Sequence, residues 1–208
     1  MTVKDAIKEV GQAVIKDKVF LTDLDQAIGD GDHGINMARG FESVLPKIAA
    51  LADDNDVAAA LKAVGMGLIS SVGGAAGPLY GTAFLRAAGA CKGKTAIDAA
   101  TAKAMLDAAI KGIQDRGKAQ QGEKTMLDAL IPASDAFADG IKAGKNAVEC
   151  LGDAVQAAEK GVEYTKKISA TKGRASYLGE RSIGHQDPGA TSSTIMLTAL
   201  YKYLKQER

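Results

Sequence analysis

The 208-residue sequence predicts an all-α protein, folded as an antiparallel, up-and-down bundle of eight helices. Three observations support this fold class. Apolar residues recur at three- and four-residue spacing along most of the chain. Alternating apolar and polar runs, which are typical of strands, are nearly absent. Capping residues, glycines and prolines mark short turns between the apolar stripes, and the many alanines allow close helix packing.

The first half of the chain contains four of these helices. Each start is assigned to a residue that can cap the first turn of a helix or fix its backbone in helical geometry. The expected starts are Thr2 for the first helix, the turn ending at Gly34 for the second, Asp56 for the third and Pro78 for the fourth. Residues 20–24 lead into the turn before the second helix and are not assigned to a helix.

The second half contains the other four. The fifth helix is expected to start at Thr95, with Asp98 as the partner in a capping box, and to end near Arg116. The sixth is expected to start at Lys124 and to kink at Pro132. The seventh is expected to be capped by Asn146 with Glu149, with an inward stripe that ends at Ile168, and the eighth is expected to start at Asp187-Pro188. Residues 117–123 are a polar turn. Residues 171–184 are basic, carry glycines and lack a helical stripe.

Composition excludes several classes of function. A net charge of +1 gives no reason to expect nucleic acid or an anionic membrane as a partner. Two cysteines outside any paired motif suggest a reducing compartment, the cytoplasm. Charged residues from Lys4 to Glu9 argue against a signal peptide. The uncharged stretch from Ala63 to Leu85 holds six glycines, so we interpret it as helix, glycine loop and helix rather than a membrane span.

The stretch from Asp25 to Gly34 is the strongest functional signal. It places Asp25, Asp30, Asp32 and His33 within nine residues, with Gly29 and Gly31 between them and Gly34 directly after them. Carboxylates are hard ligands that select Mg²⁺, Mn²⁺ or Ca²⁺, and unpaired they would repel one another, so a positive group is expected there. The spacing of the acids does not fit an EF-hand. Gly29, Gly31 and Gly34 match the G-x-G-x-x-G pattern of a dinucleotide loop, but such a loop presents bare backbone donors to a pyrophosphate, which Asp30 and Asp32 would oppose. The alternative is a solvated acidic turn that caps the next helix.

Two helix starts are candidate phosphate sites. Gly73-Gly74-Ala75-Ala76-Gly77 can direct backbone N–H groups outward at the positive end of a helix dipole, and Asp187 to Thr191 begins another helix in the same way. The alternatives are a tight turn and a simple N-cap. The segment from Gly89 to Thr95 is one residue short of a P-loop and is interpreted as an ordinary turn.

The basic connection is a candidate lid. Lys172, Arg174 and Arg181 could close over an anion, with Arg174 spreading charge over phosphate oxygens; the alternative is a solvated loop. His185 is expected to be at most a structural hydrogen-bonding residue. A hard-metal site, two anion-binding helix starts and a basic lid together indicate a Mg²⁺-dependent protein that handles a nucleotide or another polyphosphate, without a covalent nucleophile.

Several blocks of sequence resemble the nucleotide-binding L subunit of dihydroxyacetone kinase, in that family's order and over essentially the whole chain. The blocks are Leu24 to Met37, Ser70 to Gly74, Gly81-Thr82, Gly122-Glu123-Lys124-Thr125-Met126 and Gly173 to Ser192. The resemblance implies a single domain over residues 1–208, a barrel-like bundle with ADP or ATP at one end. It also implies that Asp25, Asp30 and Asp32 hold two Mg²⁺ ions and act in catalysis with Arg174.

The resemblance further implies which residues bind the nucleotide. They are His33, Gly34, Ile35, Asn36, Ser71, Gly73, Gly74, Ala75, Ala76, Gly77, Thr82, Gly117, Thr125, Met126, Arg174, Asp187, Pro188 and Gly189. Some relatives carry a serine at the position of Ala76, so a hydroxyl contact there is lost.

The implied activity is phosphoryl transfer within a cytoplasmic complex. A phosphohistidine protein of the phosphoenolpyruvate-dependent phosphotransferase system would phosphorylate the tightly bound ADP, and the group would pass to dihydroxyacetone on a second subunit. The chain has no room for the sugar-binding domain and its covalent histidine. Alternatives are a stand-alone subunit using free ATP, a Mg²⁺-dependent phosphohydrolase with His33 as base, and a non-catalytic nucleotide-binding module. Similar subunits can also contact transcription regulators.

Overall fold

The computed structural model describes residues 2–94 and 96–206. These residues form nine α-helices, one 3₁₀ segment and no strand, so the all-α prediction is confirmed. The helices are α1 (Val3–Lys16), α2 (Lys18–Ile28), α3 (His33–Ala49), α4 (Val57–Ser71), α5 (Ala76–Ala90), α6 (Ala99–Gly117), α7 (Leu127–Lys142), α8 (Ala147–Thr165) and α9 (Pro188–Gln206). The 3₁₀ segment, Arg174–Ser182, precedes α9 and is kinked at Gly179.

Eight of the helices form a closed ring. From α3 onward each helix packs against the next as far as α9, and α1 closes the ring by packing against both α3 and α9. Neighbours run antiparallel: Lys4, near the start of α1, donates to the carbonyls of Ala49 and Leu51 at the end of α3. The additional helix is α2, which packs against α3 and α9 and contains the unassigned residues 20–24.

Two apolar clusters fill the bundle. The larger one has Val14, Leu21, Phe41 and Val64 fully buried. The second joins α7, α8 and α9 through small residues; these include Ala129, Ala133, Ala154, Ala158 and Ala190. The small side chains bring the backbones of α7 and α8 close together, as expected from the alanine content.

Side-chain caps start several helices at the predicted residues. The hydroxyl of Thr2 accepts from the N–H of Asp5, and the carboxylate of Asp56 accepts from the N–H of Ala59. Asn146 and Glu149 form the predicted capping box of α8. These local signals were sufficient because each cap satisfies first-turn donors that no other part of the helix can reach.

Other predicted boundaries were wrong by a few residues. The fourth predicted helix, α5, begins two residues before Pro78, which therefore lies in the first turn, where its missing N–H has no helical acceptor to lose. The sixth, α7, begins at Leu127 because Lys124 adopts a left-handed φ of 60°, and it continues through Pro132.

The remaining differences concern α6 and α8. The first begins at Ala99 with Asp98 as its N-cap, while Thr95 lies outside the described residues. The second ends at Thr165, so Ile168 falls beyond its last turn. Across residues 2–94 and 96–206, none of the helices combines the length and the apolar character needed to cross a membrane.

Candidate active site

The acidic turn between α2 and α3 gathers its three carboxylates. Oxygens of Asp25, Asp30 and Asp32 all lie within 4.8 Å of one another. Asp25 is in the last turn of α2, and its Oδ2 accepts from the N–H groups of Asp32 and His33 at 2.9 and 3.1 Å, which caps α3. Gly31 permits the turn with a φ of 71°. The converging hard oxygen ligands fit a divalent cation.

One positive side chain, that of Arg174, lies beside these acids. Its Nε lies 2.6 Å from Oδ2 of Asp30, although the Arg174 side chain is 67% exposed and that of Asp30 is 36% exposed. Arg174 begins the 3₁₀ segment of the predicted lid. The fold therefore brings the lid onto the acidic turn, across more than 140 residues of sequence.

The N-termini of α3, α5 and α9 meet beside this cluster. Nε2 of His33 lies 2.9 Å from the hydroxyl of Ser192, linking α3 to α9. The buried hydroxyl of Tyr80 on α5 donates to the carbonyl of Gly189 at 2.9 Å and also lies within 2.8 Å of the hydroxyls of Ser192 and Ser193. Three positive helix ends therefore face one region, an arrangement that favours anions.

The glycine loop lies against α3. Gly74 has a φ of 64°, and a Cβ added to Gly73 would lie 3.4 Å from the side-chain amide of Asn36. Arg39 fixes this contact, since its Nη2 donates to Asn36 Oδ1 at 2.5 Å and its Nε donates to the carbonyl of Ser71 at 3.1 Å. The predicted residues Asn36, Ser71 and Gly73 are thus neighbours.

Predicted nucleotide-binding residues from the second half of the chain also converge. A Cβ on Gly189 would lie 3.5 Å from the backbone nitrogen of buried Met126, and one on Gly117 would lie 3.0 Å from a methyl carbon of Leu79 on α5. The N–H of Thr125 donates to Asp128 at 2.8 Å, which fixes the turn before α7. This turn and the start of α9 therefore lie together at the same end of the bundle.

Some predicted nucleotide-binding residues have other surroundings. Thr82 turns its methyl group towards α6, where a Cβ on Gly112 would lie 3.1 Å from it. Ile35 is 43% exposed on the first turn of α3. Gly34 packs directly against α2, and a Cβ there would collide with the carbonyl of Lys18 and with Thr22.

Burial changes the ionisation of several groups in the site. It raises the pKa of Asp187 to about 7, although the N–H of Ala190, which donates to this carboxylate, opposes the shift. Burial lowers the pKa of His33, against the opposing charges of Asp25 and Asp32. Burial also raises the pKa of Tyr80.

Sequence reasoning missed three of these residues. Tyr80, Ser192 and Arg39 have no assigned role in the motifs, although Ser192 ends the last block of the resemblance. Arg39 lies three residues after Asn36, a spacing that brings side chains together on a helix and could have revealed it. No local pattern identifies Tyr80, since its partners are more than 100 residues away in sequence.

Comparisons with known proteins identify the family to which the chain belongs. The DAK2 domain family matches residues 27–202. The chain is 47% identical over 194 residues to "PEP-dependent dihydroxyacetone kinase 1, ADP-binding subunit DhaL" of Listeria innocua, covering 93% of this chain and 91% of that protein. It is 46% identical over 181 residues to the PEP-dependent dihydroxyacetone kinase ADP-binding subunit of Escherichia coli, covering 87% and 86%.

A solved structure shares the fold. It is the dihydroxyacetone kinase of C. freundii in complex with AMP-PNP and Mg²⁺, with a TM-score of 0.72 and 24% identity. The match covers 97% of this chain and 33% of the kinase chain. The present chain therefore spans about a third of that kinase.

Proposed function

The chain belongs to the DAK2 domain family, and on this basis we propose that it is the ADP-binding subunit of a phosphoenolpyruvate-dependent dihydroxyacetone kinase. The phosphoryl group reaches dihydroxyacetone on a second subunit by way of the nucleotide that this chain holds, giving dihydroxyacetone phosphate. The separate-subunit form is favoured because two similar subunits are matched along 91% and 86% of their own length.

One observation supports this function above all others. The three carboxylates within 4.8 Å of one another lie next to the joined N-termini of α3, α5 and α9. Carboxylates alone would repel a polyphosphate, and helix ends alone would not hold a cation. Together they match a diphosphate whose charge is shared with metal ions.

We propose that Asp25, Asp30 and Asp32 hold two Mg²⁺ ions. When bound, these ions would neutralise negative charge on the phosphate oxygens and so favour transfer of the phosphoryl group. Asp25 is oriented for this role by the two N–H donors of α3, which keep its Oδ2 fixed. We propose that the nucleotide stays tightly bound between turnovers, as a cofactor.

The other residues of the site bind and orient. The backbone N–H groups of residues 73–77 bind the phosphates; those of Ala76 and Gly77 lie in the first turn of α5, where helical geometry leaves them without acceptors in the helix. Gly117, Met126 and Gly189 surround the nucleoside. Arg174 exchanges its bond with Asp30 for one with the transferred group, and the lid keeps water from it.

The proposed partners follow from this reaction. One is the dihydroxyacetone-binding kinase subunit, and the other is a phosphohistidine donor of the phosphotransferase system; a transcription regulator is a further candidate. The chain acts as one nucleotide-binding domain in the cytoplasm, where its two buried cysteines stay reduced.

The test is a reconstituted assay with donor, sugar-binding subunit and this chain. Native mass spectrometry of the purified chain should show copurified ADP with two divalent ions. Asp30→Asn should no longer bind the metal, and its turnover should fall at least about a hundredfold. The reason is that stabilisation of charge by the metal ions contributes most of the rate enhancement in phosphoryl transfer.

The matched control is Asp23→Asn, an exposed acid on α2 outside the cluster, which should keep full turnover. Normal turnover of Asp30→Asn would remove the metal role proposed for that residue. Phosphate release from ATP without partner proteins would instead indicate a hydrolase.

A further inference from the structure

Lys124 is the most buried lysine or arginine among the described residues, and the proposed reaction does not use it. It is 1% exposed, and its Nζ donates to the carbonyls of Thr165 and His185 and, at 3.4 Å, to that of Ile168. An ammonium group has three donors, so all of its hydrogen-bonding capacity is satisfied by backbone. A buried charge is costly unless it is satisfied in this way.

The three acceptors lie at both ends of one segment. Thr165 ends α8 and Ile168 follows it, while His185 follows the predicted lid, residues 171–184. Burial lowers the pKa of Lys124, and the nearby carboxylates of Asp187 and Asp128 oppose that change. The Lys124 ammonium thus ties the chain before the lid to the chain after it.

The neighbouring residue, Glu123, holds the start of the lid. Its carbonyl accepts from the N–H of Thr171 at 3.3 Å, and its Oε1 lies 3.2 Å from the donating hydroxyl of the same threonine. Two consecutive residues, Glu123 and Lys124, therefore contact both ends of the lid. They directly precede Thr125 and Met126, which are predicted to bind the nucleotide.

We propose that Lys124 is a positioning residue, which holds both ends of the lid against the nucleoside-binding turn and thereby sets the position of Arg174 over the phosphates. This rests on the proposed function for the role of Arg174, whereas the anchoring itself is independent of the ligand. A rigidly held Arg174 loses less freedom when it meets the transferred group.

The first test measures the lid in the full-length, nucleotide-free protein. Lys124→Met keeps an unbranched side chain that is one atom shorter and removes all three donors. Hydrogen–deuterium exchange of peptides covering residues 171–186 should accelerate about tenfold or more, while peptides of α4 stay unchanged. The matched control is Lys4→Met, because Lys4 also donates to two carbonyls but does so between α1 and α3.

A milder variant covers the case in which Lys124→Met does not fold. Thr171→Val removes only the exposed hydroxyl bond to Glu123 and should accelerate exchange in the same peptides about threefold. Unchanged lid exchange in a folded Lys124→Met, or in Thr171→Val where the first variant does not fold, overturns the anchoring.

The second test asks whether Lys124 acts through Arg174. In the reconstituted assay Lys124→Met should lower kcat about tenfold with little change in the KM for dihydroxyacetone, and Lys124→Met/Arg174→Ala should be no slower than Arg174→Ala alone. Independent, multiplicative losses would overturn the positioning role. A wild-type chain that transfers no phosphoryl group would reject the proposed function, and the exchange experiment would still decide the anchoring.

Discussion

Nε of Arg174 lies 2.6 Å from Oδ2 of Asp30, so an ion pair fastens the lid to the acidic turn. Both groups are substantially exposed, and exposed pairs contribute about 1 kcal/mol at most. A divalent cation attracts the same carboxylate far more strongly. This contact between the lid and the acidic turn is therefore weak enough for metal and nucleotide to replace.

We expect Arg174→Ala to separate cation binding from turnover. Removing the competing guanidinium should strengthen Mn²⁺ binding to the nucleotide-free chain, by no more than about fivefold given the strength of an exposed pair. Turnover in the reconstituted assay should fall about a hundredfold or more, since arginine stabilises charge on a transferred phosphoryl group. Electron paramagnetic resonance of free Mn²⁺ measures the first quantity, and weaker Mn²⁺ binding in the variant would contradict the competition.

Asp25 and Asp30 should differ in their effect on stability. Asp25→Ala removes the acceptor that caps α3 and should lower the free energy of unfolding by about 1 kcal/mol, which is about 2–4 °C in Tm for a chain of this size. Asp30→Ala relieves repulsion among the acids and loses only an exposed ion pair, so its Tm should stay the same or rise. Scanning calorimetry without added metal measures both Tm values. Equal decreases in Tm would show that the capping bonds of Asp25 do not contribute to stability beyond what Asp30 contributes.

Asp187 should make stability fall as pH rises. Its pKa is about 7 in the folded chain against 3.8 ordinarily, so between these values the folded state binds more protons than the unfolded state. The contribution is complete below about pH 4 and is lost as pH rises to about 7, with a total of roughly 4 kcal/mol at most.

Asp187→Asn is the matching variant, because its amide oxygen can still accept from the N–H of Ala190. Urea unfolding of both proteins between pH 4 and 8 should give a difference in free energy that changes over this window and levels off above it. A pH-independent difference would mean that Asp187 is ionised throughout.

Two glycines should respond oppositely to alanine. A Cβ on Gly34 would collide with the carbonyl of Lys18, forcing α2 away from α3, whereas one on Gly89 meets nothing within 4 Å. Gly34→Ala should therefore lower Tm and weaken ADP binding. Gly89→Ala lies in helical, exposed backbone and should stabilise by about 0.5–1 kcal/mol. Thermal unfolding and calorimetric titration with ADP test both expectations.

The parts of the fold that were predictable depend on local chemistry. Thr2, Asp56 and Asn146 cap helices with neighbours two or three residues away, and sequence spacing contains that information. Helix α2 was missed because a single residue, Asp17, separates it from α1, without a glycine or proline and without a side-chain cap. The sequence around such a break looks like one continuous helix followed by a loop, because it lacks the usual stop and start signals.

The residues expected to bind metal or nucleotide were easier to predict from the sequence than the residues that hold them in place. The three aspartates are close in sequence, so their meeting was predictable; the positive partner was expected, but only the fold shows it to be Arg174. Lys124 was taken as a helix start. Its acceptors lie 41, 44 and 61 residues further along the chain, and no spacing rule connects them.

Both ends of residues 171–184 meet the Glu123–Lys124 pair, and the N–H of Gly184 also donates to the carbonyl of Lys166 at the end of α8. A loop closed at its base in this way can change in length or composition without altering the register of the helices around it. The residues between these two ends can therefore be replaced as one segment. Homologous versions could be grafted into this scaffold to alter turnover while the three aspartates and the barrel remain untouched.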